Sequence, residues 1–129
     1  MTLIELMAAL GIFSVLAVGL MANTVAVIHS NVEAKNVAAA ATLINDKIEE
    51  LRGYRKTELG YHLSDGLHDD PEPLDPLGRN GGEFTRTWMV ERDTPETGLA
   101  KVEVRVTWNE PDTRSVSVVT YVCQTSSCT

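Results

Sequence analysis

The sequence predicts an α+β protein in which one long N-terminal helix packs, through its C-terminal half, on a small antiparallel sheet of about three or four strands. Three observations lead to this fold class. No proline occurs before Pro71, apolar residues dominate the first 28 positions, and clear period-two alternation begins only after Gly82. A long helical segment followed by neighbouring strands is typical of α+β domains.

Residues 1–28 form the first predicted segment, a hydrophobic half-helix whose only charged residue is Glu5. The run from position 6 to position 28 exceeds the roughly 20 residues that a bilayer-spanning helix needs. Three polar side chains interrupt it: Ser14, Asn23 and Thr24. A carboxylate in apolar surroundings is costly, so Glu5 requires a partner that compensates its charge. The segment is predicted to form a membrane-competent helix that lies in an apolar environment.

Basic residues are missing from this segment, since the first Lys or Arg is Lys35. A signal peptide has a basic n-region, and the cytoplasmic end of a membrane span usually has a basic flank. We therefore expect that a leader carrying these charges has been removed. A cleaved secretory signal peptide within the chain is disfavoured, because the helical pattern continues past Ile28 without a small-residue cleavage site.

Residues 29–53 are predicted to continue the helix as an amphipathic segment that ends near Gly53. The predicted apolar stripe repeats at spacings of three and four: Val37, Ala41, Ile44, Ile48 and Leu51. The polar residues assigned to other faces are Glu33, Asn36, Lys47 and Glu50. His29 lies where the two half-helices join, and its position favours packing or an interfacial role over metal binding.

Residues 54–83 are predicted to form a variable surface loop, because the segment DDPEPLDPLGRNGG is rich in turn formers and acidic residues. Oxygen ligands from such loops bind calcium in some proteins. The residues that would supply them here are Asp65, Asp69, Asp70 and Asp75. Their spacing matches no EF-hand, and the prolines of the segment indicate a stiff, exposed loop. We therefore predict a solvated loop and no metal site.

Residues 84–129 are predicted to form the antiparallel sheet, with strands at 84–91, 100–109 and 115–123. The connections TPETG and EPDT are short enough to join antiparallel neighbours. The second strand alternates most clearly, and its apolar face consists of Ala100, Val102, Val104, Val106 and Trp108. Trp88 and Trp108 are expected to be core residues that pack on the helix.

Cys123 and Cys128 are the only two cysteines of the chain. In a domain exported across the inner membrane, two cysteines so close together predict a small disulfide-closed loop. The alternatives are free thiols or half of a metal site. Neither has supporting ligands, because the Cys-x4-Cys spacing has no third or fourth Cys or His beside it.

The composition limits the functions that the chain can have. A length of 129 residues allows one small domain besides the N-terminal segment. The net charge of −7 disfavours non-specific binding to nucleic acid, so no direct nucleic-acid partner is expected. The sequence has no nucleophile elbow, phosphate-binding glycine loop, zinc spacing or pair of catalytic carboxylates. We predict that the chain is not an enzyme and needs no cofactor.

The first residues, MTLIELMAALGIF, resemble the mature N-terminus of type IV pilins and pseudopilins. Glu5 matches the glutamate at the family's fifth mature position, and the order of helix, loop, sheet and terminal disulfide is also the family's. Many major pilins have a helix-kinking proline where this chain has Ala22. The segments LINDKIEELR, FTRTWMVERD and KVEVRVTW are more similar to minor pilins and to the minor pseudopilins of type II secretion.

The resemblance implies a pilin-like fold and a role as a structural subunit. A prepilin peptidase would methylate the amine of Met1, and the subunit would wait as a single-pass protein of the inner membrane. An inner-membrane assembly platform would then add it to other copies or to sister pilins, in an extracellular filament or a periplasmic pseudopilus. Glu5 would pair with a neighbour's N-terminal amine, with support from the Thr2 hydroxyl.

Three further expectations accompany the resemblance. Gly11 and Gly19 are candidate points at which the helix unwinds during assembly, since glycine weakens a helix interior, although glycines in membrane helices also permit close packing. A minor pseudopilin of a type II secretion system is the alternative within the family. From a different functional class, the alternative is a monomeric, membrane-anchored binding module outside the cytoplasm.

Overall fold

The computed structural model describes residues 2–53, 63–109 and 112–123. Within them, one helix precedes four strands: α1 (Leu3–Gly53), β1 (Gly66–Asp69), β2 (Thr85–Arg92), β3 (Leu99–Asn109) and β4 (Thr113–Cys123). The predicted α+β fold class is confirmed, because the strands form one antiparallel sheet and the C-terminal part of the helix packs on it. The chain divides into two compact units, Met1–Lys35 and Asn36–Thr129.

The first unit is the N-terminal part of α1. The backbone carbonyl of Thr2 accepts hydrogen bonds from the N–H groups of Glu5, at 3.1 Å, and Leu6, at 3.3 Å. The Leu6 bond is the first i→i−4 bond of the helix, and the Glu5 bond satisfies one of the N–H groups that a helix start leaves without such a partner. Glu5 lies in the first turn, where a negative charge interacts favourably with the helix dipole.

The second unit contains the C-terminal part of α1, and its buried face differs from the predicted stripe. Ile44, Ile48 and Leu51 are buried as predicted, but Val37 is 40% exposed and Ala41 is also exposed. The other buried positions of the helix are Asn36, Ala40, Leu43 and Lys47. The buried face is therefore rotated by about one position toward Asn36 and Lys47, both of which the sequence had placed on other faces.

The rotation has a physical reason in the side chain of Lys47. The lysine stem is apolar enough to be buried when the ammonium group finds a favourable position at its end. Here the Nζ atom lies 4.0 Å from the ring centroid of Trp88 and 3.1 Å from the Glu50 carboxylate. A buried face predicted from apolar residue types alone does not include a lysine such as Lys47.

The four strands follow each other in space in the order β1-β2-β3-β4, and all neighbours are antiparallel. β3 and β4 pair without a break from Leu99 opposite Cys123 to Asn109 opposite Thr113. The predicted apolar face of β3 is buried throughout: Ala100, Val102, Val104, Val106 and Trp108. Phe84 is buried beside Trp108, with the ring centroids 5.9 Å apart.

β1 lies inside the segment that the sequence predicted to be a surface loop. Its residues pair with β2, Leu67 opposite Met89 and His68 opposite Trp88. The sequence Gly-Leu-His-Asp has low intrinsic strand propensity, so the pairing with β2 defines this strand. Leu63 and Leu74 of the same segment are buried in the core. Residues 54–62 of the predicted loop lie outside the described residues.

Candidate functional site

The apolar part of α1 exposes its large side chains. Up to Ile28, their exposed fractions range from 49% at Leu6 to 80% at Leu3. None of the most apolar 18-residue window is buried within the chain. By length and composition this helix can cross a membrane. A continuous apolar surface of this extent is a contact surface for lipid or for other apolar helices.

The polar side chains of this segment form hydrogen bonds with their own helix. The Ser14 hydroxyl donates to the carbonyl of Leu10 at 2.8 Å, and the Thr24 hydroxyl donates to that of Leu20 at 2.9 Å. The side-chain amide of Asn23 similarly donates to the carbonyl of Gly19 at 3.1 Å. An unsatisfied polar group is costly in a hydrocarbon environment. These three bonds therefore make the segment compatible with apolar surroundings.

Glu5 is the exception among the polar side chains of the segment. Its carboxylate is exposed, and no described residue donates a hydrogen bond to it or forms an ion pair with it. Thr2 is exposed and contributes its backbone carbonyl to the helix start. Support of Glu5 by the Thr2 hydroxyl stays a prediction, and Met1 lies outside the described residues. In an apolar environment, the Glu5 carboxylate requires a partner from outside this segment.

Gly11 and Gly19 lie within the unbroken helix. A methyl group added at either position would meet no atom within 4 Å other than the neighbouring helix backbone. Each glycine therefore offers open surface on which the backbone of another helix can pack closely. Their role as points of unwinding stays a prediction. His29 is exposed on the same helix.

Arg86 holds the C-terminal part of α1 to the sheet. Its Nε and Nη2 atoms donate to the two carboxylate oxygens of Asp70, at 2.7 and 3.2 Å, and its Nη1 atom donates to the carbonyl of Leu43 at 2.9 Å. The side chains of Arg86 and Asp70 are only 10% and 14% exposed. A bidentate, charge-assisted pair at this depth fixes helix and sheet together in one geometry. Asp70, a predicted oxygen ligand, is thus the partly buried ion-pair partner of Arg86.

The other predicted ligands are separate from each other in their contacts. Asp65 accepts a hydrogen bond from the N–H of Arg92 at 2.7 Å. Asp75 accepts bonds from the N–H groups of Leu77 and Arg79, at 2.8 and 2.9 Å. Asp69 is exposed at the end of β1. Among the described residues, no three His, Cys, Asp or Glu side chains are grouped so that they could hold a metal ion.

Asp75 organises the turn that it begins. The backbone N–H of Arg79 holds the pKa of the Asp75 carboxyl below its usual range, because the hydrogen bond stabilises the ionised form. The loss of some hydration opposes this effect. The Arg79 guanidinium, whose Nε donates at 2.8 Å, and the N–H of Leu77 lower the pKa further. The carboxylate is therefore a structural cap of the turn.

Trp88 lies between two groups that the sequence did not connect with it. The ring of His68 stacks on it, with centroids 5.7 Å apart and an interplanar angle of 16°, and the Lys47 ammonium lies over its ring. The His68 Nε2 atom lies 2.8 Å from the carbonyl oxygen of Ser64. Trp88 packs against the core as a partly buried residue, whereas Trp108 is fully part of it. No described residue pairs with the buried Nε1 atom of Trp88.

Cys123 ends β4 and is disulfide-bonded. Cys128, the other cysteine of the sequence, lies outside the described residues. The predicted pairing of the two stays a prediction, and so does the small loop that it would close.

No protein-family model, no curated protein and no solved structure matches this chain. Two surfaces of the chain have unusual chemistry. One is the exposed apolar part of α1 with Glu5, and the other is the sheet.

Proposed function

We propose that this chain is a structural subunit of a type IV pilus-like filament and polymerises through its N-terminal helix. The observation that carries the proposal is a long, exposed, apolar helix segment whose one charged group before position 30 is the carboxylate of Glu5. Lipid can cover such a surface while the subunit is a monomer, and the helices of other copies can cover it in a polymer. The pilin-like arrangement of helix and sheet is consistent with this role.

In the proposed filament, Glu5 pairs with the N-terminal amine of a neighbouring copy. An α-amino group is largely protonated at neutral pH, so the two groups carry opposite charges. Two charges buried apart from each other are strongly destabilising, whereas a close pair compensates much of the cost. A subunit added out of register would bury both charges unpaired. The pair therefore selects the correct register.

Before assembly, the proposed subunit spans the inner membrane once. Prepilin peptidase processes it and methylates Met1, and the assembly platform of the inner membrane is its next partner. The internal hydrogen bonds of Ser14, Asn23 and Thr24 support this step, because each pairs a side-chain donor of the span within its own helix. After assembly, the sheet unit lies outside the cell or, in a pseudopilus, in the periplasm.

Within the family, a minor pseudopilin of a type II secretion system is the second candidate. The helix continues without interruption through Ala22, where many major pilins have a kinking proline. This favours a minor subunit over a major one. The number of copies per filament, measured by quantitative mass spectrometry of purified filaments, decides between the two roles.

The test of the proposal is the replacement Glu5→Gln, which keeps the shape of the side chain and removes its charge. Leaving the amine of the neighbour unpaired is expected to reduce the sheared filament fraction about tenfold or more, with the amount in the membrane unchanged. Ser14→Ala is the matched control, because the Ser14 hydroxyl bonds only within its own helix. Filaments of normal yield from Glu5→Gln would refute the pairing.

Mass spectrometry of the N-terminus separates the proposal from a monomeric membrane-anchored binding module. A methylated Met1 in a filament fraction supports the subunit role. A chain that keeps a leader and stays in a non-filamentous membrane fraction supports the binding module.

A further inference from the structure

The two edges of the sheet differ in their capacity to pair with another strand. β4 has eleven residues, pairs with β3 along its whole length, and contains no proline, glycine, lysine or acidic residue. Its one charged residue is Arg114. Edge strands that avoid pairing are typically short, charged, bulged or interrupted by proline. Among the described residues, no strand pairs with the second edge of β4.

We propose that this edge of β4 binds β1 of a second copy, so that the sheet continues from one subunit to the next. The proposal rests on the proposed function in one respect, since it needs copies that stand side by side in a common orientation. In an antiparallel sheet with the order β1-β2-β3-β4, the two edge strands run in opposite directions. A copy in the same orientation therefore presents β1 antiparallel to β4 without any reorientation.

The side chains of the outer face fit this pairing. Leu67 and Met89 form a cross-strand pair that is 66% and 40% exposed near one edge. Val119 and Tyr121 are 48% and 51% exposed at the other edge. Placing Leu67 of one copy opposite Val119 of the next joins Met89, Leu67 and Val119 in one apolar row across the boundary, with Tyr121 diagonal to Leu67. Cross-strand apolar pairs of this kind stabilise a sheet.

The same register fits the inner face and the charges. His68 of the added strand comes to lie opposite Val118, an inner-face residue that is 40% exposed in the single copy. The antiparallel direction brings Asp69, at the end of β1, and Glu72, three residues beyond it, toward the end of β4 that carries Arg114. All three of these charged residues are exposed. The pairing is head-to-tail, so it leaves a free edge at each end and permits an open assembly.

Cross-linking of the full-length chain in membranes tests the proposal. The double variant Leu67→Cys, Val119→Cys is treated with a short bismaleimide, while the disulfide-bonded Cys123 stays unreactive. Within one copy the two positions are three strand spacings apart, about 14 Å, which a short reagent does not bridge. Between copies, directly opposite Cβ atoms are about 5 Å apart. We expect a ladder of dimers, trimers and larger products.

The first control uses the same reagent but places one cysteine outside β1. Leu77 is an exposed leucine outside β1, so Leu77→Cys with Val119→Cys is expected to give monomers only. A ladder with Tyr121→Cys in place of Val119→Cys supports the pairing with its register shifted by two residues. A dimer from Val119→Cys alone indicates that β4 pairs with β4 and overturns the proposal.

The outcome is also distinct from that of the filament experiment. Filaments without a ladder overturn the strand pairing and leave the proposed function standing. A ladder in membranes that yield no filaments overturns the filament function and retains side-by-side pairing of copies. If both are absent, both proposals fail.

Discussion

Residues 3–35 and 36–53 of α1 belong to the same helix but differ in what surrounds their apolar side chains. In the first part, Leu16 is 60% exposed and Phe13 is 69% exposed. In the second part, Leu43 and Ile44 are buried against the sheet. Burial of apolar surface stabilises by roughly 25 cal/mol per Å², and no residue of the first part is buried by the part of the chain that the structure describes. Only the second part is stabilised by tertiary packing within the described residues.

The difference shows that helix formation and helix burial have separate causes in this molecule. The second part is held by apolar packing and by Arg86, which bonds to the carbonyl of Leu43 and to Asp70. The first part is free of proline, and its Ser14, Asn23 and Thr24 side chains donate hydrogen bonds to carbonyls of their own helix. Its apolar surface remains available for a partner from outside the chain.

The largest expected effect on the free energy of unfolding comes from removing Arg86, which bonds the second part of the helix to the sheet. Arg86→Ala leaves the Asp70 carboxylate and the Leu43 carbonyl without their donor in a nearly buried site. We expect the free energy of unfolding to fall by about 3–5 kcal/mol. Urea unfolding of the detergent-solubilised chain, followed by tryptophan fluorescence, measures this loss. Arg105→Ala is the control, because its exposed pair with Glu103 contributes about 1 kcal/mol at most.

Removing one leucine from each part of the helix tests the comparison directly. Leu43→Ala creates a cavity at a fully buried position and is expected to cost about 3 kcal/mol of unfolding free energy. Leu16→Ala removes the same atoms from an exposed position and is expected to change it by less than about 0.5 kcal/mol. The same urea titration gives both values. Equal losses at the two positions would mean that the first part is packed within its own chain.

The smallest effect on the free energy of unfolding is expected at the turn that Asp75 caps. The pKa of its carboxyl is lowered in the folded state, so the folded state binds its proton less readily than the unfolded chain does. The resulting stabilisation is present at neutral pH and is lost as the pH falls through the folded pKa, below about pH 4. Asp75→Asn should therefore be less stable than the wild type at pH 7.

Urea unfolding of the two proteins at pH 7 and at pH 3 measures this effect. The difference in unfolding free energy should shrink at the lower pH, because protonation of the wild-type carboxyl begins to remove the stabilisation that its charge provides. A difference that stays constant over this range would show that the charge of Asp75 does not contribute. This result would leave the comparison between the two parts of the helix unchanged.

The strands were predicted well where local alternation decides the buried face. The alternation of β3 predicts each buried residue from Ala100 to Trp108, because successive side chains of a strand point to opposite faces. The helix was harder to predict. Two neighbouring faces of α1 have the helical period of a buried stripe. Which of them is buried depends on the contact between Lys47 and Trp88, and these residues are far apart in the sequence.

The contacts of Arg86 also depend on distant parts of the chain. Its partners, Asp70 and Leu43, are separated from it by 16 and 43 positions. An arginine in the alternating segment TRTWMVER does not by itself indicate burial. β1 was missed for the same reason, since its pairing with β2 and not its composition makes it a strand. The position of Glu5 is evident from the sequence, and its carboxylate is exposed in the structure. The Glu5→Gln variant tests its proposed partner, the N-terminal amine of a neighbouring copy.

The hydrogen bonds of Ser14, Asn23 and Thr24 have one more consequence. Each acceptor lies one helical turn before its donor, so all three bonds are internal to the helix and do not depend on its surroundings. Transfer of the segment from lipid to a protein interior, or back, exchanges none of these bonds. These three side chains therefore do not oppose transfer of the helix between lipid and a protein interior in either direction. Glu5, the one charged residue before position 30, forms no such internal bond with any described residue, so its carboxylate responds to the change of surroundings.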